Sequence, residues 1–381
     1  MKLKYRPEID GLRAIAVFAV IFYHAEIFIF GINPFKGGFF GVDIFFVISG
    51  YLISLLILNE IKTTGSFSFI NFYERRARRI LPALFFIMIV SIPAAWMWLL
   101  PTSSVDYAKS LISSVFFSSN FYFYFTNLEY AGESALLKPF LHTWSLSVEE
   151  QYYIIYPIIL IICLKYFKKY FLGLLILGLI VSLQFADWGS RNQPLLNFYI
   201  LPSRGWELLA GAILAKFEID YGRINKKLLS NIMPVIGIIL ITVSILFYDD
   251  TILHPSYYSL PPVIGVMLII YFSHERGFLN NILASKVLVG LGLISYSLYL
   301  WHYPIFAFSR ITDFATLSIY KKLLLGVAII VLSILTYFLI ERPFRNKSKI
   351  NFKLLNKLIL GKFLIIIIFS SIIIFQDGFK N

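Results

Sequence analysis

About eleven apolar runs of roughly twenty residues divide the sequence, and this repetition restricts the fold more than any other feature. A run of this length crosses a bilayer as an α-helix, which satisfies its backbone hydrogen bonds internally. We therefore predict an all-α polytopic membrane protein with about 11 transmembrane helices, and a content of 14% charged residues excludes a soluble globular domain. The predicted spans lie near residues 9–30, 38–59, 80–100, 144–164, 170–187, 199–217, 231–248, 257–273, 287–308, 321–340 and 361–376.

The basic residues determine the predicted topology. Lys and Arg produce a net charge of +13, and they cluster before span one and after spans two, four, six, eight and ten. Because cytoplasmic loops carry an excess of Lys and Arg, we predict a cytoplasmic N-terminus and, with an odd number of spans, a C-terminus on the outside. Topology thus accounts for the charge, so the lipid bilayer is the expected partner and nucleic acid is not.

Two parts of the chain are predicted. Residues 1–345 form a ten-helix membrane domain, and residues 346–381 form a cytoplasmic basic linker followed by an eleventh transmembrane helix. The aromatic segment 101–141 is predicted to be an interfacial or re-entrant helix, or else a missed pair of spans. The single cysteine, Cys163, excludes an intrachain disulfide and any cysteine-based metal cluster.

Two polar residues interrupt the first apolar run, DGLRAIAVFAVIFYH. Arg13 and His24 are eleven residues apart, which places them on one helical face with about 16 Å between them along the axis. A polar stripe on a membrane helix is costly unless it faces protein or a water-filled cavity. We therefore expect the other helices to enclose a cavity along this stripe.

Counting from the predicted span ends places the ionisable residues at two levels. In the outer third of the bilayer, five spans carry His24, Asp43, Glu149 with Glu150, Arg204 with Glu207, and His302. Near the cytoplasmic face lie Arg13 and the arginine run of FYERRARRILP, which consists of Arg75, Arg76, Arg78 and Arg79. These groups either pair to hold helices together or form a functional site, and their convergence from five spans favours a site.

A histidine beside a carboxylate is the usual equipment for removing a proton from a hydroxyl group. His24 with Asp43 or Glu149 is the predicted catalytic set, in which the carboxylate holds the imidazole tautomer. If an alcohol attacks a thioester directly, no covalent nucleophile is needed, so Ser49 is better explained by packing. Spacing does not support a metal site formed by His24, Asp43 and His302, and no metal is predicted.

Arginine side chains match phosphate groups in geometry and charge. The arginine run is therefore either a cytoplasmic anchor that contacts lipid headgroups or a binding site for the phosphates of a donor such as coenzyme A. Gly37, Gly38, Gly41 and Gly50 flank Asp43, which indicates close helix packing first and close approach of a substrate second. The sequence has no G-x-S-x-G, Walker A or H-E-x-x-H motif, so it lacks the signatures of common soluble enzymes.

The sequence contains several longer motifs, which are EIDGLRAIAVFAVIFYHA, GGFFGVDIFFVISGYLI, FYERRARRILP, LHTWSLSVEEQYYIIYP, SRGWELLAGAILA, LGLISYSLYLWHYPIF and ERPFR. With these motifs the chain resembles the acyltransferase-3 family of bacterial integral membrane O-acyltransferases. The resemblance implies a multi-pass enzyme of the bacterial inner (cytoplasmic) membrane that transfers groups other than aminoacyl groups. The group is commonly acetyl from cytosolic acetyl-CoA, and the acceptor is a hydroxyl of O-antigen lipopolysaccharide, another surface polysaccharide or peptidoglycan. Acetyl-CoA is then a co-substrate, and no bound cofactor is expected.

The resemblance also implies roles for particular residues. Arg13 and the arginine run are expected to bind the donor, and His24 is expected to be functional. Residues expected to orient the acceptor or the thioester carbonyl are His142, Trp144, Ser147, Ser203, Arg204, Glu207 and His302. Many relatives continue into an outer SGNH-type domain, whereas this sequence stops at Asn381. We expect a truncated chain, or one that works without that domain or with a separate outer SGNH-type enzyme.

The resulting hypothesis is that acyl-CoA docks on the cytoplasmic side and that His24 deprotonates a hydroxyl of a glycan or a lipid-linked glycan. The alternative is a transporter or flippase for a lipid-linked sugar or an anionic substrate, which would also need buried charges and an aromatic path. A weaker rival is a membrane hydrolase that acts on lipid-linked glycans. Dependence on an acyl-CoA donor separates the first hypothesis from both rivals.

Overall fold

A computed structural model of the chain describes residues 5–128, 134–224, 226–275, 277–313 and 318–380. Within these ranges the chain forms seventeen α-helices and no β-strand, so the prediction of an all-α protein is confirmed. The helices are α1 (Pro7–Ala25), α2 (Phe40–Thr64), α3 (Phe69–Trp98), α4 (Pro101–Val115), α5 (Ser119–Leu128), α6 (Thr143–Tyr166), α7 (Phe171–Asn192), α8 (Pro194–Tyr199), α9 (Leu201–Tyr221), α10 (Lys227–Phe247), α11 (Leu260–Phe272), α12 (Phe278–Leu283), α13 (Lys286–Leu293), α14 (Ser295–Asp313), α15 (Ile319–Thr336), α16 (Arg342–Arg345) and α17 (Phe352–Phe375).

Each of the eleven predicted spans overlaps at least one of these helices. Among the described residues, seven segments are long and apolar enough to cross a membrane. They are α2, α3, α6, α10, α17 and the segments Lys168–Asn192 and Ile319–Arg345. The other predicted spans are interrupted by polar or charged residues, as in α1, α9 and α14, or are short, as in α11. The chain is thus a multi-pass membrane protein, while the count of eleven spans and the orientation of the termini stay predictions.

The helix boundaries differ from the predicted spans at two places. Helix α3 begins at Phe69 because the Ser68 hydroxyl accepts a hydrogen bond from the backbone N–H of Asn71, at 3.3 Å. The arginine run therefore lies inside a helix, whereas the sequence predicted a span beginning near residue 80. The predicted span 287–308 is divided at Ile294, which separates α13 from α14.

The aromatic segment 101–141 is largely helical. It contains α4 and α5, which have 15 and 10 residues and are too short to form a pair of spans. The prediction of a helix here is confirmed, and the alternative of a missed span pair is not supported. Residues 129–133 of this segment lie outside the described ranges.

The helices form two compact units. Unit 1 comprises Met1–Phe67 and Val148–Ser295, and unit 2 comprises Ser68–Ser147 and Tyr296–Asn381. In unit 1, α2 packs along α9, α10 packs on α11, and α1 packs on α2 and α13. The core of this unit is aliphatic, with Trp206 and Tyr51 as its largest side chains.

Close backbone contacts in unit 1 depend on glycine. A Cβ atom at Gly50 would lie 1.9 Å from the carbonyl oxygen of Leu208, and one at Gly211 would lie 2.1 Å from that of Val47. A Cβ at Gly41 would lie 2.3 Å from the carbonyl oxygen of Ala16. The interpretation of the glycines around Asp43 as packing residues is therefore confirmed for α1, α2 and α9.

We expect Gly50→Ala to lower the free energy of unfolding by about 1–3 kcal/mol, because the new methyl group must displace the α9 backbone. The matched control is Gly173→Ala in α7, where no atom lies within 4 Å of the added Cβ. There the better helix propensity of alanine should leave stability unchanged or slightly raised. Thermal unfolding of both variants in detergent measures the difference, and equal midpoints would contradict the close approach of α2 and α9.

In unit 2, α17 packs on α3 and α4. Arg78 holds the linker that precedes α17, because its Nη1 donates to the carbonyl oxygens of Phe344 at 3.1 Å and Ile350 at 2.7 Å. Its Nε donates to Glu74 at 2.8 Å, and Lys347 of the linker binds the other oxygen of the same carboxylate at 2.9 Å. Helices on both sides of residue 345 thus belong to one unit, and the predicted domain boundary at residue 345 stays a prediction.

Candidate active site

A buried cluster of charged residues lies in unit 1, where three segments meet. Asp43 is in the first turn of α2, and Arg204 and Glu207 are one turn apart near the start of α9. His254 comes from the connection between α10 and α11. The side chains of Asp43, Arg204 and Glu207 are 0% exposed, and that of His254 is 9% exposed.

Arg204 and His254 both bind Asp43. The Nε2 atom of His254 lies 3.1 Å from Oδ1 of Asp43, and Nη1 of Arg204 lies 3.6 Å from the same oxygen. Nη1 of Arg204 also donates to Oε1 of Glu207 at 3.3 Å. Because one guanidinium serves two buried carboxylates, removal of Arg204 would leave both without their cation.

The imidazole of His254 is fixed on both sides of the ring. A tautomer that donates from Nε2 to Asp43 leaves Nδ1 to accept from Nη2 of Arg204, which lies 3.4 Å away. Burial, and next the charge of Arg204, lower the pKa of His254 against the opposing effect of Asp43. The ring is therefore neutral at neutral pH, which agrees with this hydrogen-bonding pattern.

Aromatic rings and backbone contacts enclose His254. The rings of Phe39 and Phe40 lie 4.8 Å and 5.2 Å from the imidazole, measured between centroids. The buried Asn197 donates from Nδ2 to the carbonyl oxygens of Pro255 at 3.1 Å and Ala186 at 2.9 Å. These contacts restrict both the ring and the backbone that carries it.

Ser203, which was predicted to orient a substrate, lies at the start of α9. Its hydroxyl donates to the carbonyl oxygens of Asn197 and Ile200. This serine therefore joins α9 to the segment that holds the His254 backbone. Its hydrogen bonds position the backbone of Asn197 and Ile200. Contact of Ser203 with a substrate stays a prediction.

Glu207 has a second carboxylate oxygen, Oε2, besides the Oε1 that binds Arg204. Its Oε2 atom is buried and has no hydrogen-bond partner in the described part of the chain. A buried polar atom without a partner is costly, and native proteins leave few of them. This oxygen is thus a candidate contact for a hydroxyl group of a ligand.

His24 lies at the end of α1 in the same unit and is half-buried. Its ring is 5.1 Å from Tyr23, Tyr23 is 5.6 Å from Phe39, and Phe39 is 4.8 Å from His254, all measured between centroids. Two aromatic rings therefore connect the imidazole of His24 to that of His254. The sequence predicted a partnership of His24 with Asp43 or Glu149, but the histidine that binds Asp43 is His254.

Arg13 and His24 lie in one uninterrupted helix, as the stripe hypothesis requires. Nη1 of Arg13 donates to Oδ1 of Asp10 at 3.0 Å, and the Tyr5 hydroxyl donates to Oδ2 of Asp10 at 2.7 Å. The guanidinium of Arg13 is partly buried, with 15% of the side chain exposed. Its donor-binding role stays a prediction.

Glu149 belongs to a different hydrogen-bonded group in unit 1. Its Oε1 atom accepts from the hydroxyls of Ser49 and Tyr153. The structure therefore joins the predicted catalytic Glu149 to Ser49, the residue that the sequence assigned to packing. Among the described residues, no hydrogen bond or ion pair joins Glu149 to Asp43.

Other predicted orienting residues lie in unit 2. The rings of His142 and His302 are 5.4 Å apart, and His142 stacks on Tyr303 at 5.5 Å. The hydroxyls of Ser147 and Ser119 form a hydrogen bond of 2.7 Å. Trp144 lies at the start of α6 and is buried. The structure thus brings His142 and His302 together, and it places Arg204, Ser203 and Glu207 in unit 1.

The arginine run also belongs to unit 2. Arg75, Arg76 and Arg79 are half-buried, whereas Arg78 is buried and bound to the linker that precedes α17. The guanidinium of Arg78 therefore makes three hydrogen bonds to other groups of the protein. Any donor binding by the run would depend on the other three arginines.

His254 is the site residue that sequence reasoning missed. Depth counting considered only residues inside the predicted spans, and His254 lies in a connection. A signal was present, because the connection after span seven and the starts of spans two and six were all predicted to lie on the outer side.

No group of three or more His, Cys, Asp or Glu side chains in the described ranges is arranged to hold a metal ion.

Comparisons with known proteins agree with this picture of a membrane enzyme. Residues 6–342 match a family model described as Acyltransferase domain. The peptidoglycan O-acetyltransferase OatA of Listeria monocytogenes is 34% identical over 364 residues, which cover 92% of this chain and 57% of that protein. A Bacillus subtilis protein, YrhL, provisionally named a peptidoglycan O-acetyltransferase, is 31% identical over 362 residues, covering 91% of this chain and 56% of that protein.

A Staphylococcus aureus protein provisionally named an O-acetyltransferase is 32% identical over 360 residues, which cover 91% of this chain and 58% of that protein. The chain thus spans a little over half the length of the curated relatives that it matches. No solved structure gives a significant match.

Proposed function

Since the chain belongs to the acyltransferase-3 family, we propose that it moves an acyl group, most simply acetyl, from an acyl-CoA onto a hydroxyl of a cell-surface glycan. The names of two relatives direct the choice of acceptor towards peptidoglycan or its lipid-linked precursor. O-antigen, which the family resemblance also allows, receives no such support. The proposed location is the bacterial cytoplasmic membrane.

The observation that carries the proposal is the buried Asp43–His254 pair with Arg204 and Glu207 beside it. Membrane helices tolerate charged residues where these residues face a protein interior or a polar cavity. Such residues commonly mark functional sites. A carboxylate–imidazole pair with an adjacent cation suits chemistry in which a proton moves and negative charge develops on an oxygen.

We assign different tasks to the two histidines. His254 is enclosed, and Asp43 and Arg204 engage both of its ring nitrogens, so it is a positioning residue. His24 is half-buried at the end of the Arg13 stripe and is the proposed general base. In the proposed step, the acceptor oxygen attacks the thioester carbonyl while His24 takes the hydroxyl proton, and the departing thiolate recovers a proton to leave as free coenzyme A.

The remaining residues fit supporting roles in this proposal. Arg13 would contact a phosphate of the donor. The unpartnered Oε2 of Glu207 would accept a hydrogen bond from a sugar hydroxyl. In a variant of the proposal, the acyl group first reaches a carrier, and a separate outer SGNH-type enzyme completes the transfer.

The decisive experiment uses the purified chain in proteoliposomes with radiolabelled acetyl-CoA and a lipid-linked peptidoglycan precursor. We expect label to appear on the glycan as an alkali-labile ester, and we expect no label without the chain. Omission of the glycan should leave the donor intact apart from slow hydrolysis.

The rival functions give different results in the same preparation. Movement of the lipid-linked sugar across the bilayer without any donor would favour a transporter or flippase. Release of product from the glycan with no donor present would favour a hydrolase. Transfer that appears only after addition of an outer esterase-type enzyme would favour the two-step variant.

A further inference from the structure

A cavity of about 1000 Å³ opens at the N-terminal end of α1 in unit 1. Three segments form it: the residues before and at the start of α1, the connection from α9 to α10, and the connection from α11 to α12. All three segments were predicted to be cytoplasmic. The volume is at the upper end of the range for small-molecule sites, so a ligand larger than a single phosphate ion would fill it.

The cavity is lined by polar and basic side chains. Arg223 and Lys227 supply positive charge, and Asn231, Asn280 and Asn281 supply carboxamides. Two carboxylates, Glu8 and Glu275, also line it. Glu8 is paired with Arg6, whose Nε donates to it at 2.8 Å, so Arg6 offsets one of the two negative charges.

One wall of the cavity is rigid. Nη1 of Arg6 donates to the Tyr51 hydroxyl at 2.5 Å, and its Nη2 donates to the carbonyl oxygen of Ile270 at 2.5 Å. The Nε2 atom of His274 lies 2.7 Å from the carbonyl oxygen of Ile224, which ties the two connections together. A site held in this way is organised before a ligand arrives.

Two buried polar atoms at the cavity have no hydrogen-bond partner among the described residues. They are Nη2 of Arg223 and the hydroxyl oxygen of Ser273. Ser273 is buried, with 1% of the residue exposed. The Nε of Arg223 is anchored to the carbonyl oxygen of Tyr271 at 3.4 Å, and its Nη2 lies 3.9 Å from Glu8, beyond hydrogen-bond distance. A donor and a hydroxyl left unpaired at one cavity indicate a site built for a polar ligand.

Hydrogen bonds also connect the cavity to the face of α1 that carries Arg13 and His24. Tyr5 lines the cavity and donates to Asp10, and Asp10 accepts from Arg13 through its other oxygen. The face of α1 that carries Arg13 continues towards His24, about 16 Å further along the helix axis. A ligand bound in the cavity would therefore have its extended part next to the proposed reaction path.

We propose that this cavity binds a nucleoside phosphate, with phosphate at Arg223 and Lys227 and with sugar or base groups at the asparagines and Ser273. Arginine and lysine together recognise phosphate by charge and by paired hydrogen bonds, and carboxamides recognise the polar edges of a base or ribose. In the context of the proposed function, on which this assignment rests, the ligand is the nucleotide portion of the acyl-CoA donor.

The test measures binding of coenzyme A, adenosine 3′,5′-bisphosphate and pantetheine to the full chain in nanodiscs. The variant Arg223→Gln/Lys227→Gln is expected to weaken binding of both nucleotides by about ten- to a hundredfold, because two charge-assisted contacts are lost. Binding of pantetheine, which has no nucleotide, should not change. Lys227→Glu, at an exposed residue, should weaken the binding of both nucleotides in the same direction.

The matched control is Lys168→Gln/Lys169→Gln, which makes the same change in charge at two exposed residues that do not line the cavity. It should bind both nucleotides like the unmodified chain. Unchanged dissociation constants in Arg223→Gln/Lys227→Gln, or equal affinities for pantetheine and coenzyme A, would overturn the assignment. It would also be overturned if phosphatidylglycerol vesicles displaced the bisphosphate, since the cavity would then hold a lipid headgroup.

Acetyl transfer measured in parallel separates this inference from the proposed function. Nucleotide binding that depends on Arg223 and Lys227, without acetyl transfer, would uphold the cavity and reject the function. Acetyl transfer with an unchanged KM for acetyl-CoA in the double variant would uphold the function and reject the cavity.

Discussion

Replacement of His24 with alanine is expected to lower acetyl transfer by about 10²–10⁴-fold, which is the usual effect of removing a general base. The chain should remain folded, because His24 is half-buried in the last turn of α1. Turnover of labelled acetyl-CoA in nanodiscs measures the effect. Thermal unfolding of the same samples verifies that the fold is intact.

His24→Gln distinguishes a base from a residue that only positions a substrate. Glutamine keeps hydrogen-bonding atoms but cannot take a proton, so a base predicts the same loss as alanine. A His24→Gln protein that keeps most of its activity would contradict the assignment as a base.

Arg204→Leu is expected to lower the free energy of unfolding by about 3–5 kcal/mol, because it leaves Asp43 and Glu207 buried without their shared cation. Thermal unfolding in detergent measures this loss. The double variant Arg204→Leu/Glu207→Leu should recover part of it, since one uncompensated carboxylate is removed and His254 still binds Asp43.

The control for Arg204 is Arg191→Leu. Arg191 also pairs with an aspartate, Asp187, at 3.2 Å, but 57% of its side chain is exposed. Such surface pairs contribute about 0–1 kcal/mol, so the midpoint should change little. Equal effects of the two substitutions would mean that the buried network does not stabilise unit 1.

Much of the architecture follows from patterns that the sequence displays directly. Apolar length and helical period indicate the helices, because a membrane leaves the backbone few alternatives. The glycines around Asp43 predict close contacts, and the structure confirms them between α2 and α9 at Gly50. The arrangement of Arg13 and His24 on one face also follows from spacing alone.

Contacts between distant segments were harder to predict. The sequence has five histidines, two inside predicted spans near their outer ends and three in connections, and nothing local shows which of them reaches Asp43. Packing of α10 and α11 in unit 1 brings His254 to that carboxylate. Similarly, the hydrogen bonds of Arg78 to the carbonyl oxygens of Phe344 and Ile350 depend on how α3 meets the linker, which periodicity does not reveal.

The Asp43 cluster has a consequence for how the protein is made. Its histidine follows its aspartate by 211 residues, so at about 5–20 residues per second the ribosome completes Asp43 some ten to forty seconds before His254. During that interval α2 carries a carboxylate whose histidine partner has not been synthesised, and full insertion of the charged side chain into lipid is unfavourable. We therefore expect the beginning of α2 to reach its final depth late, when α9 and the connection before α11 have joined it.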